Sequence, residues 1–466
     1  MKKLISILIT ITMLLCITAI VPLSASAATT NKVESGLTYT DEYGKWTYEL
    51  RECGDSYKIT GYDESMTSVE IPSMIDNLPV VEIGSSTFKS CSSLTSLTIP
   101  NGVTTISSCA FQYCKNLKNI TIPESVTTIG DNAFRDCTSL TKIIIPGNVT
   151  TIEYSTFENC SSLTSVTLPN SVTTINSDAF RDCTRLNQIT IPNGVTTISD
   201  YVFFNCSNLT SVTIPESVTT IEDYAFYICT SLTSVTLPNS VTTIGDYAFS
   251  NSSLTSITIP ESVTTIGDCA FYNCDSLTSV TIPNSVTTIG DYTFSFCVSL
   301  TSVTIPESVT TIGDYTFSFC DSLTSVTIPE GVTTIGDRAF CYCSSLISVI
   351  IPESVTTIED YAFIYCSNIS DVYYTGSESA WNDISIGIYN SCLTDTNIYF
   401  NYGKPIAGDI SGDGEIAVDD VIYVLKYVVG NVELTDEQIA KADLNDDGEL
   451  TVIDAILIQK FILEAV

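Results

Sequence analysis

The sequence predicts a β-rich solenoid of 23-residue rungs, made of short strands and helical turns, followed by a small all-α module at the C-terminus. Three observations carry that prediction. Prolines recur at 100, 123, 146, 169, 192, 215, 238, 260, 283, 306, 329 and 352, a spacing of 23 with a single step of 22. Within each period one apolar skeleton returns at fixed phases, first as Val103, Ile106, Phe111, Leu117, Ile120 and Ile122. After Pro405 the period stops and a different, duplicated pattern begins.

The working unit is P-x-x-V-T-T-I-G-D-Y-A-F-x-x-C-x-S-L-T-S-V-T-I. Alternation in L-T-S-V-T-I and in V-T-T-I is the period-two signature of half-buried strands. The intervening G-D-Y-A-F-x-x-C is expected to form a short helical turn. The phenylalanine never varies from Phe88 to Phe363. One rung alone buries too few side chains to offset the entropy of ordering it, whereas stacked rungs share a continuous core. A longer unit begins at Pro72, and a short one lies between Phe249 and Leu254, where one residue and the cysteine are both expected to be missing.

Three columns of repeated polar or aromatic residues need a role. Cysteines at 91, 114, 137, 160, 183, 206, 229, 274, 297, 320, 343 and 366 share one phase. A ladder points every thiol the same way, while a metal site needs ligands converging from offset segments. These cysteines are therefore expected to be reduced, small, buried side chains. Cys109, Cys269 and Cys341 lie off that phase. Aspartates follow the glycine at 131, 200, 223, 246, 268, 291, 314, 337 and 360, and are expected to cap the turn with their side chains. Tyrosines at 201, 224, 247, 292, 315 and 361, with Phe204, Tyr227, Tyr272, Phe296, Phe319, Tyr342 and Tyr365, cluster near the same turn. Exposed, they would suit sugar rings or a protein partner.

The N-terminus sets the expected compartment. Lys2 and Lys3 precede an apolar run from Leu4 to Val21, and Ala25-Ser26-Ala27 supplies a small-x-small cleavage site. This is the pattern of a secretory signal peptide, predicted to span residues 1–27. Cys16 goes with it and leaves an odd number of cysteines. The net charge of −35 argues against nucleic acid and anionic membranes as partners. The chain has no histidine, which removes the commonest general base and the commonest metal ligand.

The IP…VTTIG…AF..C.SLTSVTIP unit resembles the BspA-type leucine-rich repeat family of bacterial surface and secreted proteins. The flanks resemble it too. Trp46 to Tyr62, with Ile59-Thr60-Gly61, is similar to an N-terminal cap, and Val372 through Trp381 and Ile384 to Tyr399 to a closing cap. The resemblance implies a leucine-rich-repeat solenoid associated with adhesion and protein contact, and brings no catalytic residues. The expected organisation is a cap over 28–71, the solenoid over 72–374, a closing cap over 375–403 and the terminal module over 404–466.

In that module Asp409, Ser411, Asp413, Glu415 and Asp420 are followed at the same spacing by Asp443, Asn445, Asp447, Glu449 and Asp454. Oxygens at loop positions 1, 3, 5 and 12, with glycine at 6 and a backbone carbonyl at 7, describe calcium loops. Two Ca2+ ions are expected. An apolar-rich helix follows each loop, and Asp436 to Ala442 is expected to connect them. This loop-helix duplication resembles a type I dockerin. The closing residue is aspartate instead of the EF-hand glutamate, Ala417 offers no side-chain oxygen at position 9, and Ser411 replaces the usual asparagine.

The dockerin resemblance implies a cohesin domain of a scaffoldin as partner, and an extracellular place in a polysaccharide-degrading cellulosome at the cell surface. It also implies cohesin contacts at Val418, Asp419, Leu425 and Lys426 in one half and Val452, Ile453, Gln459 and Lys460 in the other. With repeats and caps filling 37–403, no room is left for a catalytic domain, so a non-catalytic binding or adhesion protein is expected. A protein or carbohydrate ligand would occupy the solenoid. The alternative is a carbohydrate-active enzyme, or an enzyme or protease inhibitor, working through the acidic and aromatic rows.

Overall fold

The computed structural model describes residues 36–41, 44–62, 67–403, 408–411, 416–445 and 447–464. The signal-peptide reading, Asp413 and Glu415 lie outside the described residues. Two compact units are distinguished, one ending at Ser171 and one beginning at Val172.

In the first unit, strands Leu37–Asp41, Gly44–Leu50 and Tyr57–Tyr62 form an antiparallel meander. Tyr57–Tyr62 then pairs in parallel with Leu78–Ile83, which passes the register to Thr105–Ile106 and Thr128–Ile129. A second parallel ladder joins Ser68–Glu70, Ser96–Thr98 and Asn119–Thr121. Both ladders follow from the V-T-T-I and T-S-V-T-I alternation, with valine and isoleucine inward and threonine outward. Phe88, Phe111, Phe134 and Phe157 stack at 5.1, 5.2 and 5.5 Å through the core. Trp46 closes the open end of that stack, edge-on to Phe88 at 6.3 Å. The cap thus gives the first phenylalanine the neighbour that a preceding rung would have supplied.

The second unit continues the same construction. Thr197–Ile198, Thr220–Ile221, Thr243–Ile244 and Thr265–Ile266 form one parallel ladder, paired one repeat apart. Ser325–Thr327, Ser348–Ile351, Asp371–Tyr374 and Asn397–Tyr399 form another. The phenylalanine stack runs from Phe180 to Phe363 with separations of 5.1 to 5.8 Å.

The expected helical turn is not helical. Tyr224, Phe226 and Ile228 donate their N–H groups to Asp246, Ala248 and Ser250 of the next rung, at 2.8, 2.8 and 3.0 Å. Tyr227 and Cys229, between and after them, donate within the turn to Tyr224 and Phe226. This alternation requires left-handed backbone at Tyr224 and Ile228, with φ of 56° and 59°. Such conformations cost about 1–3 kcal/mol each in non-glycine residues, and inter-rung hydrogen bonds hold them in place. An isolated helix has no neighbouring rung to bond, which is why a local reading favoured the helix.

The stack ends with a side-chain substitute for a rung. Asn390 Oδ1 accepts the Phe363 N–H at 3.0 Å, and its Nδ2 donates to the carbonyls of Glu359 and Gly387. A buried amide that would be orphaned at the last turn is thereby satisfied. Helix Glu378–Asn382, capped by Ser377, covers the end with the buried Trp381.

The terminal module has three helices: Val418–Val428, Asp436–Ala442 and Val452–Glu464. Its core is Ile410, Val424, Ala442, Ala455 and Ile458. Thr435 and Gln438 form a reciprocal capping box at the middle helix, and Gln438 also donates to the Ile410 carbonyl at 3.0 Å.

Candidate metal centre and partner face

Each outer helix starts with a buried aspartate that gathers its preceding loop. In the first loop Asp420 is fully buried; its Oδ1 accepts the N–H groups of Ile410 and Ser411, and its Oδ2 that of Ala417, all at 2.8 Å. Asp409, at the start of the same loop, is also buried, and Ser411 Oγ donates to Asp409 Oδ1 at 3.2 Å. In the second loop Asp443 accepts from the Gly448 N–H at 2.9 Å, Asn445 from Asp447 at 3.1 Å, and Asp447 from Glu449 at 2.9 Å. These bonds tie the side-chain oxygens of Asp443, Asn445 and Asp447 to the loop's own backbone N–H groups.

The fit to a cation rests on Asp454. Its Oδ2 accepts from the Thr451 N–H at 2.8 Å, while its buried Oδ1 has no hydrogen-bond partner. Leaving a buried carboxylate oxygen unsatisfied is costly, and a hard cation with oxygen ligands removes that cost. Among the described residues no group of three or more histidine, cysteine, aspartate or glutamate side chains is arranged to hold a metal ion. A calcium ion here would depend equally on Ser411, Asn445 and backbone oxygens. Type I dockerin modules are generally calcium-binding.

The residues expected to meet a partner lie on the same two helices. Val418, Asp419, Leu425 and Lys426 are exposed, and so are Val452, Ile453, Gln459 and Lys460. The sequence reading missed four further positions. Ile422 and Val429 continue the stripe of Val418 and Leu425 at helical spacing, while Ile456 and Leu463 continue that of Val452 and Gln459, all four exposed. Superimposing the two loops in register would have found them, because each falls at the same distance from its loop.

In the solenoid, the thiol ladder is buried and adds a bond. Cys229 Sγ donates to the carbonyl of Phe203 in the rung before, at 3.3 Å, and Cys206 does the same to Phe180 at 3.2 Å. The short rung replaces its cysteine: Ser252 is buried at that phase, 3.3 Å from Cys274 Sγ. Burial pushes the Cys274 thiol up to about 11 and Cys229 to about 12. The aspartates bridge rungs. Asp246, Asp268, Asp291 and Asp314 each donate a backbone N–H to the Oδ1 of the aspartate one rung earlier, at 2.8 to 2.9 Å. Desolvation, ahead of repulsion from neighbouring aspartates, raises Asp246 and Asp314 above the usual carboxylate range.

The BspA type leucine rich repeat model matches residues 61–173, 150–278 and 264–394, and the dockerin type I model matches 407–463. A leucine-rich repeat protein from Bacteroides ovatus is 28% identical, with 78% of this chain and 100% of that chain covered and a TM-score of 0.64. A leucine rich cell surface protein from Faecalibacterium prausnitzii is 30% identical over 76% of this chain and 98% of that one, with a TM-score of 0.41. No curated protein matches. No helix among the described residues is long and apolar enough to cross a membrane. Periodic core, repeat match and solved neighbour agree: the chain belongs to the BspA-type leucine-rich repeat family and carries a C-terminal type I dockerin domain.

Proposed function

We propose that this protein is an exported, non-catalytic binding or adhesion repeat held in a cellulosome by calcium-dependent docking onto a cohesin of a scaffoldin. The observation that carries the reading is the duplicated exposed stripe: Val418, Ile422, Leu425 and Val429 on one helix, Val452, Ile456, Gln459 and Leu463 on the other. Two ions are held, one by Asp409, Ser411, Asp413, Glu415 and Asp420, the other by Asp443, Asn445, Asp447, Glu449 and Asp454. Glu415 and Glu449 contribute backbone carbonyls. When bound, an ion at each loop would tie the loop's oxygens to the aspartate at the start of the following helix, Asp420 or Asp454, and so couple loop order to helix order.

Both module types are non-catalytic. Native-gel titration of the exported chain with a recombinant type I cohesin tests docking. A shifted complex in calcium that disappears with chelator is expected; no complex with any type I cohesin overturns the reading. Release of soluble sugar from plant polysaccharide by the purified chain would overturn the non-catalytic part.

A further inference from the structure

Two aromatic columns on the turn face of the second unit end on uncovered rings. In one, Tyr292 stacks on Tyr315 at 4.4 Å, and Arg338 takes the next place. Its guanidinium lies 5.4 Å from the Tyr315 ring and 4.3 Å from Tyr361, which in turn stacks on Tyr389 at 4.7 Å. In the other, Phe296, Phe319, Tyr342 and Tyr365 follow one another at 4.3, 4.5 and 4.5 Å. Rings inside a column have both faces taken and offer only edges. Among the described residues the last rings, Tyr389 and Tyr365, each have a single ring neighbour. They are 60% and 56% exposed, and Ile388 beside Tyr389 is 57% exposed.

The chain itself displays what sits against these rings. Arg338 is sandwiched between tyrosines and ion-paired with Asp337. Arg181 repeats the arrangement, 4.7 Å over Phe204 and paired with Asp178 at 3.0 Å. A guanidinium over an aromatic face gains from the ring quadrupole and from the nearby carboxylate together. Glu359 and Asp360 are exposed in the turn that carries Tyr361, in a chain of net charge −35. A sugar ring could meet those carboxylates through its hydroxyls, but a guanidinium answers the ring faces and the negative charge with one group, as Arg338 and Arg181 do within this chain.

We propose that the exposed ends of the two columns, Tyr389 and Tyr365, with Ile388, Glu359 and Asp360, form a docking surface for a basic protein segment. An arginine of the partner stacks on Tyr389 and continues the ring–cation alternation begun at Arg338. This rests on the reading of the solenoid as a binding module. The test contains no cohesin, so its failure leaves the docking reading untouched.

Calorimetric titration of the full exported chain with octa-arginine at physiological ionic strength tests it. Tyr389→Ala and Glu359→Gln are each expected to weaken binding about three- to tenfold, and Tyr389→Phe to restore it. Tyr154→Ala, at a tyrosine 53% exposed in the first unit, is the control and is expected to leave binding unchanged. Equal affinities across all variants would mean diffuse charge attraction and overturn the proposal, as would no binding at all. So would binding of cellohexaose that is lost in Tyr389→Ala, because the surface would then be a sugar platform.

Discussion

At the residue scale, the cysteine column is a packing element with a hydrogen bond. Thiols such as Cys229 and Cys274 donate to the carbonyl of a phenylalanine in the rung before, and burial keeps them protonated, about 11 for Cys274 and about 12 for Cys229. Thiol–disulfide exchange needs the thiolate, so these groups are expected to stay reduced after export. Counting free thiols in denaturant without reductant should recover most of them; recovery of nearly all as disulfides would overturn this. Ser252 is a natural substitution at the phase, and Cys229→Ser is therefore expected to cost only about 1 kcal/mol, read from thermal melts. The phase of the column was legible in the sequence because it repeats. The bond was not, because donor and acceptor lie 26 residues apart and meet only on stacking.

At the element scale, the glycine–aspartate pair explains why the turn repeats as G-D. A Cβ on Gly245 would lie 2.5 Å from Asp223 Oδ1 and 2.7–2.8 Å from backbone of the rung before. The glycine is there for close approach, since it carries no left-handed φ. Gly245→Ala is expected to destabilise the solenoid by about 1–3 kcal/mol, lowering its melting midpoint, whereas alanine at an exposed strand threonine such as Thr213 should change it far less. The aspartates also give the repeat a pH dependence. Desolvation raises Asp200, Asp246 and Asp314 in the folded chain. A carboxyl raised on folding contributes stability when protonated and loses it as pH rises through its folded value. The solenoid midpoint should therefore climb as pH falls from neutral toward the carboxylate range; a midpoint that falls steadily over that interval contradicts it. The V-T-T-I and T-S-V-T strands were legible from alternation alone. The turn was misread as helical because its alternate N–H groups bond one rung away, outside any local window.

At the scale of the whole molecule, an apolar stack and a type I dockerin module share one chain, and they should respond separately to chelation. Chelator is expected to remove the helical signal of the terminal module and leave the β signal of the rungs, because calcium-loop spacing occurs at 409–420 and 443–454, where Asp454 Oδ1 is buried without a partner, whereas the solenoid's own unpartnered carboxylate oxygen, Asp337 Oδ1, belongs to a carboxylate already ion-paired with Arg338. Loss of the β signal on chelation would instead assign the aspartate column a structural ion. The two loop-helix halves were legible by spacing, and so were the exposed pairs Val418-Asp419 and Val452-Ile453; Ile422 and Ile456 were hidden among the many apolar residues of their helices. The halves match at Lys426 and Lys460 but differ where Asp419 faces the role of Ile453 and Leu425 that of Gln459. Burying Asp419 unpaired against a partner would cost several kcal/mol, while fully burying Ile453 contributes roughly 1.5–3 kcal/mol. One cohesin site cannot suit both, so a single orientation is expected, with the helix Val452–Glu464 face dominant. Alanine at Ile453 should then weaken cohesin binding by about tenfold or more, and alanine at Asp419 should leave it nearly unchanged. Equal, mild effects, with loss only in the double variant, would reveal two interchangeable faces.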